Sequence, residues 1–188
     1  MEQKSITDQE IIRACRKGQV RYQELLYKRF YAFAISISLR YSPNREDALE
    51  TLNDSFMKVF QNIASYDDSR PFKSWFRKII VNTALNKFQE NRKYMIHLEL
   101  DALEMEVSEE PQLDQKLNAE EILNLMGSLP ALYRLVFNLY EIEGYTHQEI
   151  AGMLDIAPGT SRSHLTRARQ MLRKLYSEMK NKPYHEAI

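Results

Sequence analysis

Cysteine is almost absent from this chain: Cys15 is the only one in 188 residues. That excludes an internal disulfide and any cysteine-rich zinc site. The four histidines, His97, His147, His164 and His185, are too scattered to replace it. Glycine and proline are also scarce, with five and six residues, and β-branched runs are few, which argues against a sheet-and-turn architecture. No apolar run is long enough to cross a bilayer; residues 30–39 are the longest mostly apolar stretch, and serines interrupt it. Met1-Glu2-Gln3-Lys4 leads into no apolar signal core, so a cytoplasmic location is expected. There is no glycine-rich phosphate loop, no HExxH and no Cys/His nucleophile pairing. The acidic pairs Asp67-Asp68 and Glu109-Glu110 are adjacent in loops, where two carboxylates do not converge on one ion. No catalysis, metal, cofactor or small-molecule substrate is therefore expected.

What is abundant is Leu, Ala, Glu, Lys, Arg and Met, the strong helix formers. Hydrophobic residues make up 44% of the chain, enough for the core of one domain or two small ones. The formal net charge is zero, but the charge is sorted along the chain. Residues 70–93 hold seven Lys/Arg and one acid, and residues 158–182 again seven and one. Between them, residues 94–130 carry nine acids and only Lys116. Two basic segments can meet nucleic acid at two places, while the acidic stretch is repelled from phosphate or drawn to a basic groove. Solvated helix faces are the alternative for each basic segment.

The helical pattern is punctuated. Thr7-x-x-Glu10 is a capping-box signature for a short helix reaching about Lys17. A second helix, residues 22–40, carries Leu25, Leu26, Phe30, Phe33, Ile37 and Tyr41 at helical spacing. After Ser42-Pro43-Asn44 comes a third, residues 45–62, with Asn44 as N-cap and Asp47 near the positive helix end. Its stripe is Ala48, Leu52, Phe56, Val59, Phe60 and Ile63. The turn-rich loop 64–71 precedes a fourth helix over 72–91, burying Phe72, Trp75, Phe76, Ile79, Ile80, Ala84 and Phe88. Periodicity then degrades into an acidic linker, extended or partly ordered. The expected fold class is all-α: two small helical domains joined by an acidic linker, the C-terminal one containing a helix-turn-helix. The boundaries are 1–93, linker 94–112, 113–182 and a tail 183–188.

The last third carries the sharpest motif. Gly144 ends one helix, and Thr146-x-x-Glu149 caps the next, whose Ile150, Ala151 and Leu154 point inward. Asp155-Ile156-Ala157 makes a short turn, and Pro158 suits the first position of a new helix because its missing N–H costs nothing there. Leu165, Ala168, Leu172, Leu175 and Met179 form the expected buried stripe. Opposite it, Arg162, Ser163, Thr166, Arg167 and Gln170 occupy the half of a recognition helix that enters a major groove. Arginine contacts guanine bidentately, and the hydroxyls reach base edges or phosphate. Arg169, Arg173 and Lys174 lie at the flanks, suited to phosphate. An ordinary amphipathic helix with an arginine-rich wet face is the bland alternative.

In the first half, Lys78, Asn82, Asn86, Gln89 and Lys93 fall on one stripe of the fourth helix. Amides flanked by lysines can hydrogen-bond bases, and Tyr66, Phe72 and Trp75 can stack on an unpaired base, although such aromatics are more often core. The third helix offers Asp47, Glu50, Asp54, Lys58 and Gln61, with Asn53 beside Asp54, as a mildly acidic wet face.

Taken together these residues resemble the extracytoplasmic-function (ECF) class of bacterial sigma factors, over about residues 10–175. Asn44-Arg45-Glu46-Asp47-Ala48 with Asn53-Asp54-Ser55-Phe56 looks like the helix that docks on the coiled coil of the RNA polymerase largest subunit. The resemblance implies docking through Asp47, Glu50, Asn53 and Asp54, with Asn53 a shorter amide than the family's usual Gln. Residues 72–84, FKSWFRKIIVNTA, are similar to the segment that handles the minus-10 element. This implies minus-10 contacts from Tyr66, Asp67, Arg70, Trp75, Lys78, Asn82, Asn86 and Gln89, with the loop 66–70 trapping a flipped base. Leu129-Pro130, Glu143-Gly144-Tyr145-Thr146, Glu149-Ile150-Ala151, Gly159-Thr160 and the run from Arg162 to Arg169 look like the region that reads the minus-35 element. It implies contacts from Arg162, Ser163, Thr166, Arg167, Arg169 and Arg173. Ser161 stands where the family usually has a buried Val, predicting looser packing; His164 stands where Arg is common, predicting a weaker phosphate contact.

The resemblance thus implies an alternative sigma factor that binds core RNA polymerase and promoter DNA. It also implies an anti-sigma partner, membrane-anchored in many members of the family, and an acidic linker threading into the polymerase. A stand-alone helix-turn-helix regulator using only the C-terminal module is the rival, and a helical adaptor without DNA binding a third.

Overall fold

The structure, a computed structural model, describes residues 6–99 and 118–181. Among the described residues there is no strand, and the chain divides into two compact units, Met1–Asn86 and Lys87–Ile188.

The first unit is built from α1 (Asp8–Arg16), α2 (Val20–Tyr41), α3 (Arg45–Asn62) and the opening of α4 (Phe72–Glu99). Each start has a chemical cause. Thr7 and Glu10 close a reciprocal capping box on α1, and Asn44 accepts from the Asp47 N–H to cap α3 (2.8 Å). Gly18, at φ +71°, turns the chain between α1 and α2. The core takes Ile11, Ile12 and Cys15 from α1, Leu26, Phe30 and Ile37 from α2, Leu52, Phe56 and Val59 from α3, and Phe72, Phe76 and Ile80 from α4. Phe56 and Phe76 meet at 4.8 Å between ring centroids, as do Phe30 and Phe72. Burying each such ring contributes roughly 2–3 kcal/mol, so these aromatics and the aliphatics around them hold α2, α3 and α4 together. Burial also pushes the Cys15 thiol up to about 11, which leaves it an unreactive core group.

α4 runs on to Glu99, past the point near residue 91 where its apolar period fades. Residues 94–99, placed by sequence in the linker, are therefore helical. The rest of the linker, the tail 183–188 and the side chain of Lys93 lie outside the described residues.

The second unit's helices are α5 (Ala119–Gly127), α6 (Ala131–Phe137), α7 (His147–Leu154) and α8 (Pro158–Asn181). Asn118 and Glu121 make a second capping box at α5. α6 passes into a wider π-type turn, Asn138–Ile142, before Gly144 reverses the chain at φ +78°. Leu129, Tyr133 and Ala168 are buried together, with Phe137, Met171 and Leu172 packed against them. The buried side of α8 differs from its heptad-like reading in the far half. Leu165 and Ala168 are buried as expected, but Tyr176 is the deeply buried residue there, while Leu172, Leu175 and Met179 are only partly covered.

Candidate nucleic-acid and polymerase interfaces

The α7–α8 pair is a helix-turn-helix whose angle is set locally at both ends. The Thr146 hydroxyl accepts from the Glu149 N–H (3.3 Å), and the Glu149 carboxylate accepts from the Thr146 N–H (2.8 Å). Asp155 ends α7 in the left-handed region at φ 53°, which lets the Ile156 N–H reach the Ala151 carbonyl (3.1 Å). Pro158 then opens α8.

Between the two helices, Ser161 is fully buried and its Oγ lies 2.9 Å from His147 Nδ1. The His147 ring stacks on Tyr140, with centroids 4.5 Å apart. The expectation that Ser161 loosens the packing is thus corrected: its hydroxyl is satisfied and pins α8 to the start of α7. The inward placement of His164 agrees with a weak phosphate contact there: its ring lies against Tyr133, with centroids 5.0 Å apart. Desolvation by burial, and then Arg167, lower its pKa. The same causes, burial first and then the Arg162 and Arg169 charges, lower that of His147.

On the opposite face Arg162, Ser163, Thr166 and Arg167 are all exposed. Ser163 Oγ donates to the Gly159 carbonyl (2.9 Å) and Thr166 Oγ1 to the Arg162 carbonyl (3.1 Å). Their lone pairs, not their protons, are then offered outward, suited to an amino group on a base edge. Arg167 Nη1 reaches the Tyr133 hydroxyl (3.3 Å), which ties the guanidinium to α6. Arg169 is engaged too: its Nε donates to Glu141 (2.8 Å) in an exposed ion pair. Such a pair contributes only about 0–1 kcal/mol, so a phosphate can displace it. Arg173 lies exposed on the flank.

The loop before α4 is a stapled turn. Asp67 Oδ1 accepts from the Ser69 N–H (2.9 Å), the Asp67 carbonyl from the Arg70 N–H (3.1 Å), and the Arg70 carbonyl from the Tyr66 hydroxyl. Hydrogen bonds from the Ser69 side chain and backbone, and then the Arg70 charge, lower the Asp67 pKa. Tyr66 is 7% exposed and packs on Phe72 (5.5 Å) and Trp75 (5.1 Å). It lies beneath the loop, so the stacking expected of it at sequence level is corrected, and Phe72 is likewise core. Asp67, Ser69 and Arg70 form the exposed rim, with Trp75 half-buried beside them. Lys78, Asn82 and Asn86 are exposed along one face of α4, and Gln89, also exposed, falls beyond the division after Asn86.

One residue behind this loop was passed over in the sequence. Arg16, the last residue of α1, donates from Nε to the Ile63 carbonyl (3.1 Å) and from Nη2 to the Tyr66 carbonyl. It also grips both Asp68 oxygens, at 2.8 and 3.1 Å, and lies over the Tyr66 ring. Its partners are 47 to 52 residues away, beyond any periodicity signal.

On α3, Glu50 and Asn53 are exposed and Asp54 half-buried. Asn53 Oδ1 accepts from the Tyr27 hydroxyl (3.2 Å), which orients the amide from α2. Asp47 is partly engaged at the helix start, where its carboxylate accepts from the Asn44 side chain (3.1 Å). Lys58 of the same helix donates to Thr83 Oγ1 (3.2 Å) and braces α3 against α4.

Two family models match the chain in the expected order: Sigma-70 region 2 over residues 26–94 and Sigma-70, region 4 over residues 119–172. The chain belongs to the sigma-70 family. Within it, the ECF RNA polymerase sigma-E factor of Salmonella typhi is 29% identical over 89% of this chain and 93% of the relative. That of Escherichia coli is 28% identical with the same coverage. The Haemophilus influenzae protein is 26% identical over 89% of this chain and 94% of its own. Among solved structures, the sigma factor RpoE of Bartonella quintana, crystallised with the anti-sigma factor NepR, aligns with a TM-score of 0.49 at 19% identity. That alignment covers 82% of this chain and 96% of the other.

This sigma factor is of the ECF class and directs promoter-specific transcription, which entails binding core RNA polymerase and promoter DNA. The family is one of regulatory factors. Among the described residues no helix is long and apolar enough to cross a membrane, and no cluster of His, Cys, Asp and Glu could hold a metal ion.

Proposed function

We propose that this sigma factor divides its work among three named surfaces. The exposed side of α3, Glu50, Asn53 and Asp54 with Asp47 at its edge, docks on the coiled coil of the polymerase largest subunit. The rim of Asp67, Ser69 and Arg70, with Trp75 beside it, receives a base flipped from the minus-10 element. Lys78, Asn82, Asn86 and Gln89 line the adjoining strand, and Tyr66 supports the loop from below. The α8 face of Arg162, Ser163, Thr166 and Arg167 reads the minus-35 element, while Arg169 and Arg173 hold phosphate. The domains responsible are 1–93 and 113–182, with 94–112 as the inter-domain segment. The chain performs no chemistry of its own and acts in the cytoplasm, where the polymerase is.

The observation that carries this reading is that both units present exposed base-capable side chains, amides on α4 and arginines with hydroxyls on α8. A stand-alone repressor needs only the second set. Unpairing a base costs a few kcal/mol, so a pre-shaped rim that captures the exposed base is a physical way to nucleate melting. An anti-sigma factor completes the proposal, since many family members are held inactive by one that is membrane-anchored. It is tested by co-purification from the native cell.

The deciding experiment adds the purified chain to bacterial core polymerase and measures run-off transcription from a promoter library. Discrete promoter-dependent transcripts are expected. Binding to duplex DNA with no association with core would overturn the reading in favour of a conventional regulator.

A further inference from the structure

Arg16 lies outside the segment that matches the family's region 2, which begins at residue 26, yet its side chain ties the end of α1 to the loop. We infer that Arg16, with Asp68 as its counter-ion, is a positioning residue that sets the shape of the minus-10 base-capture loop and thereby its base preference. The inference rests on the assignment of the loop 66–70 as the capture site.

The guanidinium meets the loop's base at three successive places. Nε takes the Ile63 carbonyl at 3.1 Å, Nη2 the Tyr66 carbonyl, and Nη1 and Nη2 the two oxygens of Asp68 at 2.8 and 3.1 Å. The planar fork fixes these acceptors relative to one another, which a lysine ammonium on a flexible stem cannot reproduce. The pair is only partly exposed, the Arg16 side chain at 25% and Asp68 at 39%, so water screens it incompletely.

From there the constraint passes into the rim. The Tyr66 carbonyl is held by Arg16 while its hydroxyl holds the Arg70 carbonyl. Burial is the main cause keeping the Tyr66 pKa raised, so the phenol remains a neutral donor. Asp68 itself sits between Asp67 and Ser69, whose Asx turn shapes the exposed surface. Without Arg16 the Ile63 and Tyr66 carbonyls lose their charged donor, and Asp68 loses the charge that turns it away from the rim. A base presented to a loose rim is then held with less discrimination. Arg16 touches no DNA in this scheme; it acts through Tyr66 and Asp68.

The test uses the full chain in holoenzyme. Four promoters differing only in the captured minus-10 base are compared by run-off, beside a second set varied in the minus-35 element. Arg16→Ala and Asp68→Ala are each expected to collapse the preference among the four bases by about tenfold, the scale of one mismatched position. Core affinity and the minus-35 preference are expected to stay within about twofold, and Arg16→Lys is not expected to rescue the base preference. If Arg16→Ala does not fold by far-ultraviolet circular dichroism, Asp68→Ala decides alone, since it retains both carbonyl contacts. A uniform loss across all promoters, or an unchanged base preference while Arg70→Ala and Asp67→Ala lose it, would overturn the positioning role and leave the capture loop standing. If Arg70→Ala and Asp67→Ala themselves leave the preference unchanged, the loop is not the reader and both assignments fall.

Discussion

At the scale of single residues, the surface of α8 proposed to read the minus-35 element is chemically less uniform than a row of arginines. Arg167 shares a hydrogen bond with Tyr133 and Arg169 an ion pair with Glu141, whereas Ser163 and Thr166 return their protons to their own helix. Arg167 is therefore partly pre-oriented, and orientation is what a bidentate contact to guanine requires. Arg167→Ala is expected to weaken promoter use by about 1–3 kcal/mol and to relax preference at one minus-35 position. Run-off on a library randomised across that element measures both, and an unchanged preference would remove Arg167 from the reading set. The two inward histidines carry a pH signature. Both pKa values are lowered from 6.5, chiefly by burial, so below that pH the unfolded chain binds more protons than the folded one. Their stabilisation is complete above pH 6.5 and is lost as pH falls through the lowered folded values. Ring-proton titration by NMR should give midpoints below 6.5 for both residues, and His147→Gln should flatten the acid-side fall of the thermal midpoint. A midpoint at or above the ordinary value would contradict the burial.

Among the elements, α7 depends most on its start, because it has only eight residues and short helices are marginal without tertiary or capping support. Thr146 satisfies the Glu149 N–H while Glu149 satisfies that of Thr146. Thr146→Ala is expected to cost about 1 kcal/mol, within the usual 0.5–2 range for a lost cap. Amide exchange should rise first across α7, with α3 and its Asn44 cap unaffected, because the substitution touches only one of the two units. Equal exchange in wild type and variant would mean that Ser161 and His147 hold α7 without the cap. α4 shows the opposite balance. Its start is defined by buried Phe72 and Phe76, and its far end continues as helix to Glu99 where the apolar stripe has faded.

For the molecule as a whole, zero net charge conceals a division of labour: basic segments at 70–93 and 158–182, and an acidic wet face on α3. In the proposed assignment, docking on polymerase and contact with phosphate use opposite signs, so one chain can bind both without the two surfaces competing. Glu50→Lys combined with Asp54→Lys reverses the docking face. Core binding, followed by gel filtration or fluorescence anisotropy, should be abolished while the helical circular dichroism signal is retained. Normal core affinity in the folded double variant would refute the docking assignment.

The amino-acid sequence by itself determined what depends on neighbours three or four positions apart. Thr7 and Glu10, Asn44 and Asp47, and Thr146 and Glu149 are close in the chain before any fold exists. Their caps, and the apolar period between them, were therefore legible as helices and as a helix-turn-helix. The exposed candidates Asn82, Asn86, Arg162 and Arg167 were legible for the same reason, as the polar side of an amphipathic pattern. Only the tertiary structure decided how those side chains are held. It buried Tyr66 beneath its loop, turned His164 inward, gave Ser161 its histidine partner, and paired Arg169 with Glu141 across 28 positions. It also brought Arg16 to Asp68, 52 residues away. Such pairings follow from how packed helices meet, and no local spacing encodes them.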